Sequence, residues 1–201
     1  MNTKQAYIQL VGDALIPLAG VFFFEWSLYF ILLFYCLDLI ASEVVSHLKS
    51  KKTIEFNGKS KNPWLVNGVK SALLLIISLT SIHVAVYAIH PEINFQQAFI
   101  EFMAYEEMGI AQGYVLVPFV AFAAYQLYRI DFLMPAKYRT IELREIWKPH
   151  TTALIIIILA ACITVGVSQL IVFSDLVYVL SIVGVSSIYQ LWIIHRKSSK
   201  R

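Results

Sequence analysis

Polar side chains that recur at helical spacing inside apolar runs are the residues of this chain best suited to chemistry. The first set follows one face of a predicted helix and consists of Tyr35, Asp38, Ser42 and Ser46. Asp38 lies 12 residues beyond Trp26, near mid-membrane, where an acid costs roughly 2.5–3.5 kcal/mol on insertion scales. We therefore expect Asp38 to face the bundle interior and a partner. It either exchanges protons on a transport path, because burial disfavours the charged form, or fixes helix packing through a hydrogen bond.

A second polar stripe lies in the next apolar run and consists of Thr80, His83, Tyr87 and His90. Antiparallel neighbouring helices would place His83 about 8 Å nearer the outer surface than Asp38, at 1.5 Å per residue. In one interpretation these two side chains share a water-filled path. In the other, His83 hydrogen-bonds a neighbouring carbonyl group and His90 lies at the membrane interface.

Other ionisable side chains in the apolar runs have simpler interpretations. Glu43 and His47 are one helical turn apart, which predicts a solvated ion pair near the cytoplasmic end of their helix. His150 is predicted at the cytoplasmic rim. Asp13 either pairs with Asp38 or a cytoplasmic donor, or marks a first span that begins late, after a surface segment.

Sequence motifs of metal, nucleotide and hydrolytic sites are absent. The chain contains no H-E-x-x-H, no G-x-S-x-G, no C-x-x-C and no glycine-rich phosphate loop. Cys36 and Cys162 both lie in apolar runs, where we expect free thiols packed as small hydrophobic side chains. We therefore predict no catalytic residue, no metal and no cofactor, although an enzyme that uses Asp and His alone is left open.

The apolar runs that must position these side chains indicate the fold class. Hydrophobic residues make up 59% of the chain and charged residues 14%, about half the charged share of an ordinary globular domain. Each hydrocarbon crossing takes roughly 20 apolar residues, so six crossings use nearly all 201 residues. We predict an all-α, polytopic membrane helical bundle whose six transmembrane helices cover about 7–24, 26–47, 64–90, 109–128, 151–174 and 176–195.

The positions of the 16 Lys and Arg residues predict the orientation of these spans. All of them precede the first run, lie between the second and third or the fourth and fifth, or follow the sixth, whereas the other loops carry only acids. Because cytoplasmic loops collect Lys and Arg, we predict an N-in/C-in protein. It would form a single transmembrane domain over 1–201. A further helix over 94–107 would lie on the outer surface or extend span four, and the segment 7–24 would span fully or re-enter.

The predicted first hairpin carries a Pro-x-x-Gly, a Trp-Ser and a Tyr-x-x-acid pattern, made by Pro17, Gly20, Trp26, Ser27, Tyr35 and Asp38. This pattern resembles the start of a family of prokaryotic integral membrane proteins that has no assigned activity. Cys36 stands where that family has a second aromatic residue, and Asp38 where it usually has Glu. The resemblance implies that Trp26, Tyr35 and Asp38 form one unit, and it implies no activity.

Three functions fit a chain that leaves no room for a soluble domain. The polar stripes favour a small proton- or ion-coupled transporter or channel-like protein, with a path lined by Asp38, His83, Tyr35, Thr80 and Tyr87. The second function is a non-catalytic accessory or assembly subunit with a membrane-protein partner. The third is a membrane-embedded lipid-modifying enzyme. Each predicts a multi-pass protein of the prokaryotic inner (plasma) membrane, in contact with the lipid bilayer and with anionic headgroups at its cytoplasmic loops, and no nucleic-acid partner.

Overall fold

The computed structural model describes residues 3–58, 62–104, 106–107, 110–171 and 173–198, and nearly all of them are helical. The helices are α1 (Thr3–Phe23), α2 (Leu28–Asn57), α3 (Asn62–Ile89), α4 (Phe95–Ala104), α5 (Gln112–Tyr128), α6 (Leu143–Ser168) and α7 (Asp175–Ser198). A π-helical turn at Arg129–Leu133 follows α5, and a 3₁₀ turn lies at Lys137–Arg139. Two short antiparallel strands, β1 (Glu106–Glu107) and β2 (Ile110–Ala111), pair between α4 and α5. The predicted all-α fold class is confirmed.

Within the described residues, four helices are long and apolar enough to cross a membrane. They are Leu28–Asn57, Pro63–Ile89, Gly113–Leu133 and Leu143–Ser168. The helices at the two ends of the chain contain shorter apolar stretches, Ala14–Phe23 and Asp175–Tyr189. The broad prediction of a membrane protein with several apolar helices therefore agrees with the structure.

The chain folds as two compact units. The first combines Met1–Leu32 with Val172–Arg201, and in it α1 packs against α7. The second is Leu33–Ile171, in which α3 and α6 form the most extensive helix pair and α4 packs against α5. The polar residues that form the candidate site all lie in this second unit.

In the first unit, a tight turn after α1 joins Gly20 to Trp26. Glu25 has a left-handed backbone with φ of 51°, and the Trp26 N–H donates to the Gly20 carbonyl oxygen at 2.9 Å. A Cβ atom on Gly20 would overlap the indole ring of Trp26, so glycine is needed for this contact. Pro17 is fully buried one turn earlier. Asp13 lies in α1, but its side chain is outside the described part of the molecule.

The predicted helix over 94–107 is shorter than expected. The Asn94 side chain caps α4 by accepting from the Gln97 N–H at 3.1 Å, which satisfies a free helix N–H group. The helix ends at Ala104, and β1 and β2 follow it, so α4 does not continue into α5 as one span. Gly113 at the start of α5 packs against the Met103 backbone, which leaves no space for a side chain there.

Close packing of α3 on α6 brings the next polar residues into place. Ser71 and Ser78 are fully buried on α3, and Leu154 and Ala161 are buried on α6. Ser78 Oγ donates to the Leu154 carbonyl oxygen at 3.2 Å across the interface. Small and hydroxyl-bearing residues let membrane helices approach closely and hydrogen-bond to each other. This packing holds the amino-terminal halves of both helices beside α2.

Candidate functional site

Glu43 is the centre of a buried polar cluster in the second unit. Glu43 is only 5% exposed, so the prediction that its pair with His47 is solvated is wrong. Oε2 accepts a hydrogen bond from Ser71 Oγ at 2.6 Å and one from His150 Nε2 at 2.5 Å. Oε1 accepts one from His47 Nε2 at 3.0 Å. A carboxylate has about four acceptor sites, and three donors from α2, α3 and α6 fill most of them here.

His150 connects this carboxylate to a serine on the same helix as Glu43. His150 is 8% exposed, which corrects its predicted place at the rim. Because Glu43 Oε2 accepts from Nε2–H, Nδ1 of the neutral ring is left as an acceptor. Ser42 Oγ lies 3.3 Å from that Nδ1 and donates to it. One continuous series of hydrogen bonds therefore joins Ser42, His150, Glu43 and His47; we call these four residues the buried relay.

His47 is a partly exposed member of the buried relay. Its side chain is 33% exposed, against 7% for the Glu43 side chain. The imidazole packs edge-on against Trp147 and Trp64, with ring centroids 5.0 and 6.0 Å apart. Gly68 makes room for it, because a Cβ atom there would lie 2.6 Å from His47 Cε1. The ring is thus held in one place by neighbours on α3 and α6.

Several buried donors beside His47 and along α2 have no hydrogen-bond partner in the described ranges. They are Trp64 Nε1, Trp147 Nε1 and Ser50 Oγ. An unsatisfied buried donor costs about 1–3 kcal/mol, and ordered water is its usual partner. Bound water or a polar group of a substrate would therefore satisfy these donors.

Proton exchange is the chemistry that this arrangement supports. Each imidazole has two nitrogens, so a proton accepted on one side of the ring is released on the other. Ser42, His150 and Glu43 also have the connectivity of a nucleophile, a base and an acid. However, Ser42 lies inside α2, where the backbone N–H groups already serve the helix and cannot form the oxyanion hole that acyl transfer needs. In the described ranges, no three His, Cys, Asp or Glu side chains are grouped to hold a metal ion.

The first predicted polar stripe divides between the cluster and the surface. Ser42 belongs to the buried relay, and Ser46 is buried and donates to the Ser42 carbonyl oxygen at 2.9 Å. Asp38 is exposed, so the prediction that it faces the bundle interior is wrong. Tyr35 is half-buried. Both lie in the second unit, whereas Trp26 of the same sequence pattern lies in the first.

In the second polar stripe, His83 makes the predicted hydrogen bond to a neighbouring carbonyl group. His83 is half-buried, and its Nδ1–H donates to the Leu79 carbonyl oxygen at 2.7 Å. Its ring also packs on Phe95, with centroids 5.3 Å apart. Thr80 and Tyr87 are exposed on α3.

The sequence contained a signal for the burial of Glu43. Small polar residues follow it on α2 at offsets of three, seven and ten, and Ser46, Ser50 and Thr53 are all buried with it. Such spacing marks one helix face that packs closely on its neighbours. His150 and Ser71 lack a local signal of this kind, since they meet Glu43 only through the tertiary fold.

No family model, no curated protein and no solved structure matches this chain. The resemblance of its first hairpin to a prokaryotic membrane family stays a prediction.

Proposed function

We propose that this protein moves protons across a membrane through the buried relay and couples them to the transport of a substrate or ion. The observation that carries the proposal is Glu43, a carboxylate buried in an apolar helix and hydrogen-bonded to two histidines. Ionisable residues inside membrane helices are expensive, and proton pathways are one of their main uses. The hydrogen-bonded series supplies both a buried acid and neighbours that exchange protons with it.

The two ends of the buried relay support this proposal. His47 is partly exposed and lies one turn from Glu43 toward the end of α2 that the charge pattern predicts to be cytoplasmic. Asp38 precedes Ser42 by one turn, a spacing that separates Cβ atoms by about 5–6 Å. Because Asp38 is exposed, we assign it the role of proton donor or acceptor at the outer end.

The proposed topology has six spans, with α1 and α7 as the first and sixth and both ends in the cytoplasm of a prokaryotic cell. It is supported by the two shorter apolar stretches and by the one-sided distribution of Lys and Arg. The test uses Lys51→Cys and Glu92→Cys, each in a background without Cys36 and Cys162. The two introduced thiols should react with an impermeant maleimide from opposite sides of sealed vesicles. Labelling of both from one side would contradict the topology.

The test of function is proton flux driven by a pH gradient in proteoliposomes that contain a pH-sensitive dye. Glu43→Gln keeps the shape of the side chain and removes the titratable group, so we expect flux to fall to the level of empty liposomes. Glu55→Gln is the matched control, because it makes the same chemical change at an exposed position of the same helix. Asp38→Asn should slow the flux without abolishing it.

Other outcomes point to other functions. Equal flux in the native protein and in Glu43→Gln would refute the proposal. If native protein carries no flux and Glu43→Gln only unfolds more easily, the cluster is structural and a non-catalytic accessory or assembly subunit is favoured. Lipid turnover that requires Glu43 would favour the membrane-embedded enzyme. Loss of flux in His83→Gln would show that the second polar stripe contributes to the proton path.

A further inference from the structure

A second charged feature lies in the second unit, at the end of α2 that follows the buried relay. Six residues from the end of α2 and from the turns after α5 form a cation–aromatic cluster. Its members are Lys49, Lys52, Phe56, Phe132, Tyr138 and Arg139. The role of this cluster does not depend on proton exchange.

Three aromatic rings make the rigid part of the cluster. Phe132 is 2% exposed and belongs to the hydrophobic core that also contains Tyr128 and Ile146. Tyr138 packs on it with ring centroids 6.4 Å apart, and Phe56 packs edge-on against Tyr138 at 5.3 Å. The rings are therefore anchored to the fold on one side.

Three basic side chains lie over these rings at cation–π distance. Lys49 Nζ is 5.9 Å from the centroid of Phe132, and Lys52 Nζ is 5.7 Å from that of Tyr138. Arg139 Cζ lies 5.8 Å from the same Tyr138 ring and 5.5 Å from Phe56. Lys52 and Arg139 thus share one ring, although their like charges repel each other.

Lys52 and Arg139 are exposed and form no ion pair with a carboxylate in the part of the chain that the structure describes. Contact with the Tyr138 ring keeps the two charged groups 5.7 and 5.8 Å from its centroid. Two cations held at one ring attract a multivalent oxygen anion such as a phosphate group.

The position of the cluster identifies the source of that phosphate. Phe132 lies at the end of the apolar segment Gly113–Leu133, and the next apolar helix begins at Leu143. Ends of membrane-spanning helices lie at the level of the lipid headgroups, where aromatic and basic side chains collect. We propose that Lys52 and Arg139, held on Tyr138, bind the phosphate of an anionic phospholipid at the surface that the charge pattern assigns to the cytoplasm.

Native mass spectrometry of the full-length protein with equal amounts of phosphatidylglycerol and phosphatidylcholine tests this site. The native protein should retain phosphatidylglycerol preferentially. The double variant Lys52→Gln/Arg139→Gln should lose that preference by about 30-fold, which corresponds to about 1 kcal/mol for each charge. The matched control Arg144→Gln/Lys148→Gln removes two exposed charges from the next helix, outside the cluster, and should reduce the preference by a smaller factor.

Three results would overturn the proposal. Equal losses in the two double variants would mean diffuse attraction to surface charge and no site. Equal retention of both lipids by the native protein would mean no preference for an anionic headgroup. Displacement of phosphatidylglycerol by millimolar inorganic phosphate would assign the site to free phosphate and not to a lipid.

Discussion

Replacement of Glu43 by alanine should be among the most destabilising single changes in the second unit. The substitution removes the acceptor for Ser71, His47 and His150, and leaves two buried donors from α3 and α6 without a partner. Breaking a buried pair by removing one partner costs about 3–5 kcal/mol. Glu55→Ala, on an exposed position of the same helix, should cost less than about 0.5 kcal/mol.

The measurement is the free energy of unfolding in mixed detergent micelles for Glu43→Ala, His150→Ala and the double variant. Since the two side chains share a hydrogen bond, the double variant should be less destabilised than the sum of the single variants by about 1–3 kcal/mol. The control cycle combines Glu55→Ala with His150→Ala and should be additive. Additive costs for Glu43 and His150, or equal costs for Glu43→Ala and Glu55→Ala, would refute the geometry of the cluster.

Two further predictions concern glycines that make room for aromatic rings. Gly68→Ala should lower the free energy of unfolding by about 1–3 kcal/mol and lower proton flux, because its Cβ would displace the His47 ring. Gly166→Ala is the control, since no atom lies within 4 Å of its Cβ position, and it should be neutral or slightly stabilising in the same unfolding assay. Gly20→Ala should be destabilising by a similar amount, and Trp26→Ala in the same chain should remove most of that additional cost. Equal effects of Gly68→Ala and Gly166→Ala, or additive costs for the Gly20 and Trp26 changes, would contradict these contacts.

Parts of the site that lie within one helix were predictable from spacing. The hydrogen bond between His47 and Glu43 follows from their separation of four residues. Ser42 and Ser46 were predicted to share a polar face, and both lie at the cluster. The helix cap at Asn94 also followed from its spacing to Gln97.

Hydropathy alone did not identify which of two acids of α2 is buried. Asp38 and Glu43 are five residues apart, which places them about 140° apart around the helix at 3.6 residues per turn. In a soluble protein the apolar face would show which of the two is buried. In α2, apolar residues surround the helix on all sides, because a face toward lipid is as apolar as a face toward other helices. The sequence analysis therefore predicted Asp38 as the acid that faces the bundle interior, whereas the structure buries Glu43.

The sequence by itself determined that the chain forms long apolar helices, because hydropathy and run length act locally and need no knowledge of neighbours. It also determined the short-range pairs along each helix, since helical geometry makes residues three and four apart adjacent. Only the tertiary structure decided which of the two acids is buried. Ser71 is 28 residues and His150 is 107 residues from Glu43, and both reach it because α3 and α6 pack closely on each other and bring the two side chains to the same carboxylate. Contacts at such separations depend on how helices pack, which no local pattern in this chain encodes.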